Sequence, residues 1–302
     1  REAGPLAGQV ARHHRLAGQD AAAAEYYRLA GDHARGLYAN AEALAHYEEA
    51  LALGHPDAAT LHEAVGDLRT RRGEYGAALV SYERAAASGS PETVAVLEHK
   101  IGNVHARRGD RGLARSHYES ALEALEGPEG GSSGELARLY ADLSLLSHLQ
   151  DEPEEAAEFA QRALAQADEA GDARAHNMLG ILAGNAGDGE TSLRHLRESL
   201  ALAEALGDPE SKVAALNNLA LALGAGGETE EALKIAETAL ELCVRLGDRH
   251  REAALRNNLA DLLHAAGREE ESMAHLKRAV EIFAEIGEQD RLRPEIWKLV
   301  EW

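Results

Sequence analysis

Side chains that commonly perform catalysis or bind metal ions are present in this chain, but their spacing matches no common catalytic motif. The chain has 15 histidines, and no two of them stand four positions apart on one helical face. Adjacent His13 and His14 would point about 100° apart on a helix, so they would not share a metal ion. The sequence contains neither a Gly-x-Ser-x-Gly nucleophile turn nor a His-Glu-x-x-His zinc motif. We therefore expect no catalytic residues and no metal site.

The glycine-rich segment and the single cysteine also lack the context of a reactive site. Residues 184–189 read Gly-Asn-Ala-Gly-Asp-Gly, without the lysine of a phosphate-binding loop and without a predicted strand before them. Cys243 is the only cysteine, which excludes a disulfide within the chain and a thiolate metal cluster. We interpret Cys243 as a small apolar residue of a helix, and we expect no cofactor. The histidines could act as a pH sensor, but nothing groups them, which favours solvated surface histidines.

Composition and net charge indicate which fold class and which partners to expect. The 302 residues carry 31 Lys plus Arg against 52 Asp plus Glu, a formal net charge of −21. Nucleic acids and anionic membranes attract concentrated positive charge, so we expect neither as a partner. Alanine and leucine are abundant while aromatic residues make up only 4 %, which favours helices over sheets. We therefore predict an all-α fold without strands.

The start of the chain and its hydropathy indicate in which cellular compartment the protein is expected. No uncharged apolar run approaches 18 residues, and no apolar stretch follows a basic start, so we expect neither a membrane span nor a signal peptide. The cytoplasm is the expected location. Because the chain begins at Arg1 rather than Met, we expect it to be a fragment of a longer protein or a processed product.

A repeated pattern of small and bulky residues organises the chain. A small residue is followed four positions later by a bulky one and seven positions later by another small one, which places all three on one helical face. The clearest copies are Ala23/Tyr27/Ala30, Ala43/Tyr47/Ala50, Ala78/Tyr82/Ala85 and Ala114/Tyr118/Ala121. Looser copies begin at Ala156, Ser192, Ala232 and Ser272.

Two further positions accompany the copies and predict a pair of helices per repeat. Five residues before the pattern stands a glycine in most copies, with Tyr38 and Asp151 in the other two. Glycine there suits a tight turn with positive φ. Seven residues earlier still, a small residue follows a bulky apolar one, as in Val65-Gly66. Each repeat therefore reads helix A, turn, helix B, with small residues at their contact.

This pattern resembles the tetratricopeptide repeat, a helix–turn–helix unit of about 34 residues with Leu-Gly on helix A and Ala-x3-Phe/Tyr on helix B. The resemblance covers nearly the whole chain, although the usual tryptophan of helix A is absent. The first two copies are too close for a full unit, so one long helix from roughly Asp20 to Tyr38 should serve both neighbours. The resemblance implies a right-handed α-solenoid of about seven to eight repeats over residues 1–292.

The connections between repeats and the end of the chain carry three further predictions. Gly-Asp or Gly-Glu pairs beginning at Gly171, Gly207, Gly247 and Gly287 predict a helix end followed by a capping carboxylate. Residues 127–135 predict a flexible loop, either a hinge between two sub-arrays or, as we favour, an insertion in a continuous solenoid. Residues 293–302 hold both tryptophans and predict a C-terminal capping helix, with a docking surface for a partner as the alternative.

The candidate binding residues rest on the resemblance, because helix A lines the concave side in the tetratricopeptide family. Asparagines recur there in register through the last three repeats, and asparagine is a poor choice inside a helix unless its amide finds a partner. Basic residues on the same helices are unusual in so acidic a chain. We predict a ligand groove lined by Asn103, Asn177, Asn217, Asn218, Asn257, Asn258, Lys100, Arg138 and Arg174.

Within each adjacent pair of asparagines, the side chains point about 100° apart, so only one of the two can face the groove fully. We expect Asn218 and Asn258 to face the groove and their neighbours to brace the adjacent helix. The alternative is that all of them satisfy hydrogen bonds between helices.

The expected function is recognition without catalysis, with a protein or peptide bound in the concave groove. The Asn-Asn-Leu-Ala segments and Leu-Gly-Asp helix ends resemble the repeat arms of large bacterial signal-transduction ATPases and transcriptional activators. That resemblance implies a sensor or regulatory arm of a larger protein. The alternative is an oligomerisation or assembly scaffold without a separate ligand, in which case the chain would form a homo-oligomer.

Overall fold

The computed structural model describes residues 4–87, 91–127, 132–166 and 169–289. In these ranges it has fifteen α-helices, a short 3-10 helix at Gly4–Leu6 and no strand, which confirms the all-α prediction. The helices are α1 (Ala7–Leu16), α2 (Asp20–Gly36), α3 (Asn40–Ala52), α4 (Ala58–Arg72), α5 (Tyr75–Ala86), α6 (Pro91–Arg107), α7 (Arg111–Leu125), α8 (Ser133–Leu149), α9 (Pro153–Gln166), α10 (Glu169–Asn185), α11 (Gly189–Leu206), α12 (Pro209–Ala225), α13 (Thr229–Leu246), α14 (Arg249–Ala265) and α15 (Glu269–Gln289).

The chain divides into two compact units, unit 1 (Arg1–Thr93) and unit 2 (Val94–Trp302). In unit 1, α1 packs on α2, α2 on α3 and α4 on α5. Helix α2 therefore contacts both α1 and α3, as the sequence predicts for a helix shared by two repeats. In unit 2, the hairpins α8–α9, α10–α11, α12–α13 and α14–α15 follow one another. We call α6, α8, α10, α12 and α14 the A helices of unit 2, and α7, α9, α11, α13 and α15 its B helices.

The turn from helix A to helix B places one residue in the left-handed conformation in each copy. The glycines predicted for this turn all have positive φ, namely Gly18, Gly73, Gly109, Gly187, Gly227 and Gly267. Tyr38 (φ 58°) and Asp151 (φ 63°) adopt the same conformation in the two copies without glycine. A side chain is strained there, so the backbone geometry of the turn is kept even where the residue type opposes it.

Helices A and B approach closely where a small residue of one lies beneath a ring of the other. A Cβ atom added to Gly66 would lie 2.4 Å from the Tyr82 ring, and one added to Gly102 would lie 2.5 Å from the Tyr118 ring. Both tyrosines are buried. Glycine at these two positions is therefore required by packing rather than by backbone conformation.

Serine supports the same contact in the looser repeats. The hydroxyl of Ser144 donates to the Ala156 carbonyl at 2.7 Å, and that of Ser192 donates to the Gly180 carbonyl at 2.8 Å. Both hydroxyls are buried, and the carbonyl satisfies each of them. The small–bulky pattern thus gives one mode of helix packing throughout the described repeats.

The predicted helix-end pairs divide into two groups. Gly207 and Gly247 end α11 and α13 in the left-handed conformation, and Asp208 and Asp248 cap the helices that follow. In contrast, residues 171 and 287 lie inside α10 and α15, so the predicted helix ends there are wrong. A glycine inside a helix costs only about 1 kcal/mol, which the packing of the surrounding helix outweighs.

Two predicted segments lie largely outside the described residues. Residues 128–131 and 293–302 are not among them, so the proposed hinge or insertion and the proposed capping helix stay predictions. Helix α8 already begins at Ser133, and the Ser132 hydroxyl caps it by accepting the Glu135 N–H at 3.2 Å. None of the described helices combines the length and the apolar character that crossing a membrane requires.

Candidate functional site

The candidate binding surface is the exposed side of the layer of A helices in unit 2, here called the A face. Within this layer α10 contacts α8 and α12, and α12 contacts α14. The B helices α9, α11 and α13 contact the A helix of the next repeat, and in the described part of the chain no comparable contact joins successive B helices. Because the A helices pack closer to one another, they lie on the inside of the curve.

A contact between distant repeats shows how far this layer coils. Helices that pack together are about 8–10 Å apart, so α6 and α14 would be roughly 30–40 Å apart in a straight layer. Instead, the guanidinium of Arg107, at the end of α6, donates to both carboxylate oxygens of Asp248 at 2.9 and 2.8 Å. The layer of A helices therefore coils until the end of its first helix meets the start of its fifth.

The predicted asparagines join three neighbouring A helices through their amides. The Nδ2 of Asn218 donates to Oδ1 of Asn177 at 3.0 Å, which links α12 to α10. The Nδ2 of Asn258 donates to Oδ1 of Asn217 at 3.1 Å, which links α14 to α12. Within α12, Asn217 donates to Oδ1 of Asn218 at 3.1 Å. These four residues, defined here as the amide row, run continuously across the A face.

The amide row keeps hydrogen-bonding capacity beyond these links. Each amide has two N–H donors and an oxygen with two lone pairs, and the contacts above use only part of that capacity. Asn258 is 9 % exposed, whereas Asn177, Asn217 and Asn218 are half-buried. The fifth predicted asparagine of this region, Asn257, is also half-buried on α14. The row can therefore brace its helices and still offer polar atoms to a ligand.

A charged cluster lies on the same layer of helices, nearer its beginning. The Nε2 of His99 on α6 lies 2.7 Å from Oδ2 of Asp142 on α8, and the guanidinium of Arg174 on α10 lies 4.0 Å from the same oxygen. Burial opposes ionisation of Asp142, but His99 and Arg174 outweigh it, and the pKa of this carboxyl is lowered. Asp142 is therefore a carboxylate at neutral pH that joins three successive A helices.

The other predicted residues, Asn103, Arg138 and Lys100, lie on α6 and α8, outside the amide row. Asn103 on α6 accepts a hydrogen bond from the Tyr118 hydroxyl at 2.7 Å, so its amide supports the helix A–helix B contact. Arg138 forms an ion pair with Glu135 on the same helix, α8. Lys100 is half-buried on α6 beside His99. Unit 2 thus holds all nine predicted residues, and direct hydrogen bonds join four of them, the asparagines of the amide row.

The single cysteine lies in a setting that suppresses its reactivity. Burial raises the pKa of the Cys243 thiol to about 12, so it stays protonated at neutral pH and is a poor nucleophile. Its Sγ lies 3.5 Å from the Asp248 carbonyl. The described ranges contain no group of three or more side chains placed to bind one metal ion.

Two carboxylates of the A face were not predicted from the sequence. Asp142 stands two residues before the small residue Ser144, in register with Asn218 and Asn258, so the repeat alignment contained a signal for it. Asp248 was predicted only as a helix cap. Its ion pair with Arg107 joins residues 141 positions apart, and no local pattern indicates such a contact.

Comparison with known proteins agrees with the repeat geometry. The family described as tetratricopeptide repeat matches residues 93–169, 171–242 and 211–285. No curated protein matches the sequence significantly.

Several solved structures share the fold. The Rap conjugation gene regulator of the plasmid pLS20, in complex with the Phr* peptide, is 14 % identical with a TM-score of 0.73, over 90 % of this chain and 77 % of that chain. A Rap protein complexed with Competence and Sporulation Factor is 16 % identical with a TM-score of 0.67, over 88 % and 76 % of the two chains.

A third similar structure belongs to a larger protein. It is a signal transduction ATPase with numerous domains from Pyrococcus horikoshii, a protein with a tetratricopeptide repeat sensor. It is 14 % identical with a TM-score of 0.55, and the match covers 93 % of this chain but 48 % of that one. At these identities the likeness shows a common fold only. Because the family matches cover more than half of the sequence, the chain belongs to the tetratricopeptide repeat family.

Proposed function

We propose that this chain is a non-catalytic recognition module whose A face binds a protein or a peptide. The observation that carries the proposal is the amide row, in which Asn177, Asn217 and Asn218 are half-buried and retain bonding capacity. An asparagine amide offers a donor and an acceptor, which match the N–H and C=O of a peptide backbone without reading its side chains. A row of such amides on a concave surface suits an extended ligand.

The dimensions of the A face fit that ligand. Neighbouring A helices are about 8–10 Å apart, and an extended peptide advances about 3.3 Å per residue. Equivalent side chains on α10, α12 and α14 would therefore meet the bound peptide at about every third residue. The charged residues His99, Asp142 and Arg174 lie on the preceding A helices and would add charge selectivity at one end.

We further propose that the chain is the sensor or regulatory arm of a larger bacterial signalling or transcription-regulating ATPase. Two observations support this proposal. The sequence resembles the repeat arms of such proteins, and the fold is similar to that of an ATPase with a tetratricopeptide repeat sensor. The similar Rap regulator was solved with a peptide, which supports a peptide-sized ligand for the present fold.

The experiment selects peptides from a random display library on the full chain and measures their affinity by fluorescence polarisation. The test variant combines Asn218→Ala with Asn258→Ala. Each lost hydrogen bond costs about 0.5–1.5 kcal/mol, so the selected peptides should bind roughly tenfold more weakly. Asn185→Ala is the matched control, because Asn185 is an exposed asparagine at the end of α10 that bonds only His148 in the described contacts.

Three outcomes decide the proposal. Weaker binding by the folded double variant, measured below the onset of its thermal unfolding and with normal binding by Asn185→Ala, supports the A face as the binding surface. Lost stability with unchanged affinity contradicts it and leaves Asn218 and Asn258 as braces. A library that yields no binder, together with light scattering that shows a concentration-dependent dimer, favours the assembly scaffold instead.

A further inference from the structure

The ion pair between Arg107 and Asp248 joins two repeats of unit 2 that are not neighbours in the sequence. Each repeat of a repeat array normally contacts only its neighbours. Arg107 and Asp248 nevertheless form a two-pronged pair at 2.9 and 2.8 Å between α6 and the start of α14, with α8, α10 and α12 between them in sequence. Their side chains are only 11 % and 6 % exposed, so solvent screens the pair weakly.

Helix capping alone does not account for Arg107. Asp248 caps α14 by accepting the Arg251 N–H at 3.1 Å, and the Arg251 side chain lies 3.7 Å from the same carboxylate. At the equivalent place in the preceding repeat, Asp208 caps α12 by accepting the Glu210 N–H at 3.0 Å, and no arginine bonds its side chain in the described contacts. The cap is therefore a local feature, and the bond from Arg107 is an additional link across the coil.

The energetics of buried ion pairs also favour a role other than stability. Burial removes both ions from water, and the attraction between them often repays only that loss. An apolar pair at the same place would hold the repeats together at least as well. Separating an apolar pair would, however, expose apolar surface to water. Two charges that water can solvate after separation suit a contact that opens and closes.

We propose that Arg107 and Asp248 form a clasp that holds unit 2 in its closed coil, and that releasing the clasp lets the coil open. In the closed state the end of α6 is fixed against the start of α14. In the open state the A helices would keep their neighbours, because α8–α10, α10–α12 and α12–α14 contacts do not involve the pair. If the A face binds a peptide, as proposed above, the clasp would regulate access to it.

The experiment measures the opening directly, without a ligand, so its failure is separate from any failure of the proposed binding function. Spin labels on cysteines at Leu113 and Val244, which are 52 % and 46 % exposed, report the distance between α7 and α13 on either side of the clasp. A second label pair at Val244 and Met273 reports neighbouring repeats and serves as the internal reference. Cys243 is fully buried and should not take a label.

The test variant combines Arg107→Met with Asp248→Asn, which removes both charges while asparagine can still cap α14. We expect the Leu113–Val244 distance to lengthen by about one interhelical spacing, roughly 8–10 Å, and to broaden. The Val244–Met273 distance should not change. Arg256→Met is the matched control, because it removes an arginine whose partner Glu252, at 2.9 Å, is on the same helix.

An unchanged, narrow Leu113–Val244 distance in the double variant overturns the clasp and makes the pair a static brace. If the double variant loses its helical circular dichroism, Arg107→Lys provides the same measurement, since lysine keeps the charge but cannot bond both oxygens. A broadened distance in that protein supports the clasp. Loss of folding in both variants overturns it, because the pair would then be required for the fold itself.

Discussion

The contact between helices A and B gives the most quantitative prediction about this fold, and Gly102→Ala tests it. Gly102 lies on α6 beneath the Tyr118 ring of α7. An added Cβ would lie 2.5 Å from two atoms of that ring and 3.3 Å from the Ala114 carbonyl oxygen. The ring is 2 % exposed, and its hydroxyl is held by Asn103 at 2.7 Å, so it cannot turn away without losing that bond.

The expected free-energy change is a balance of three terms. Alanine in place of glycine inside a helix favours folding by about 1 kcal/mol. Overpacking a filled contact costs roughly 1–3 kcal/mol, because the ring must move by about 1 Å to reach normal contact distance. Loss of the Tyr118–Asn103 hydrogen bond adds about 0.5–1.5 kcal/mol. We therefore expect Gly102→Ala to lower the free energy of unfolding by about 0.5–3.5 kcal/mol.

Urea unfolding followed by far-UV circular dichroism measures this change, and Gly112→Ala is its matched control. Gly112 lies in the first turn of α7 with no atom within 4 Å of an added Cβ. The control should leave stability unchanged or raise it by up to about 1 kcal/mol. If Gly102→Ala is as stable as Gly112→Ala, the helices do not meet at this glycine and the packing argument is wrong.

Three further changes test other parts of the structure. Ala114→Leu should overpack the same contact and lower the free energy of unfolding by roughly 1–3 kcal/mol, as measured by thermal unfolding. Ala124→Leu, on the exposed side of α7, should leave that free energy nearly unchanged. Equal effects of the two changes would show that the repeat register is wrong. Asp151→Gly should stabilise the protein by roughly 0.5–1 kcal/mol, because glycine adopts φ 63° without strain, and a less stable variant would contradict the turn geometry. Burial lowers the pKa of His250 to about 3, so the unfolded chain binds a proton below about pH 6.5 that the folded chain refuses. The stabilisation that neutral His250 contributes is therefore fully present above pH 6.5 and should fall by about 2–3 kcal/mol towards pH 4.5. Urea unfolding of His250→Gln over this range should show a shallower loss of stability than the unchanged protein, and an identical slope would contradict the burial of a neutral histidine.

The repeat architecture could be predicted from the sequence because every copy has small and bulky residues at the same spacing. Small residues such as Gly66 and Ala78 recur at fixed distances from a bulky partner, and the structure places them at the contact between helices. The turn was predicted even where glycine is absent, since Tyr38 and Asp151 hold the left-handed conformation that the other copies indicate. Local spacing is sufficient here because the interactions are themselves local.

Predictions were less successful where the deciding interaction was not local. The glycines at 171 and 287 looked like helix ends, but whether a glycine ends a helix depends on the packing of both flanks. The asparagine positions were found from their register, yet register does not specify that Asn218 bonds Asn177 and that Asn258 bonds Asn217. Such bonds depend on how far successive A helices rotate about one another, which the residues of one repeat do not determine.

The location of a bound peptide on the full chain tests the central claim most directly. A peptide selected by display and carrying a photoreactive diazirine side chain would be crosslinked to the protein, and the attached residues would be identified by mass spectrometry. We predict crosslinks on the A helices α8, α10, α12 and α14, clustered near the amide row and reduced in the Asn218→Ala/Asn258→Ala protein. Crosslinks concentrated on the B helices α9, α11 and α13, and unaffected by that double change, would contradict the account.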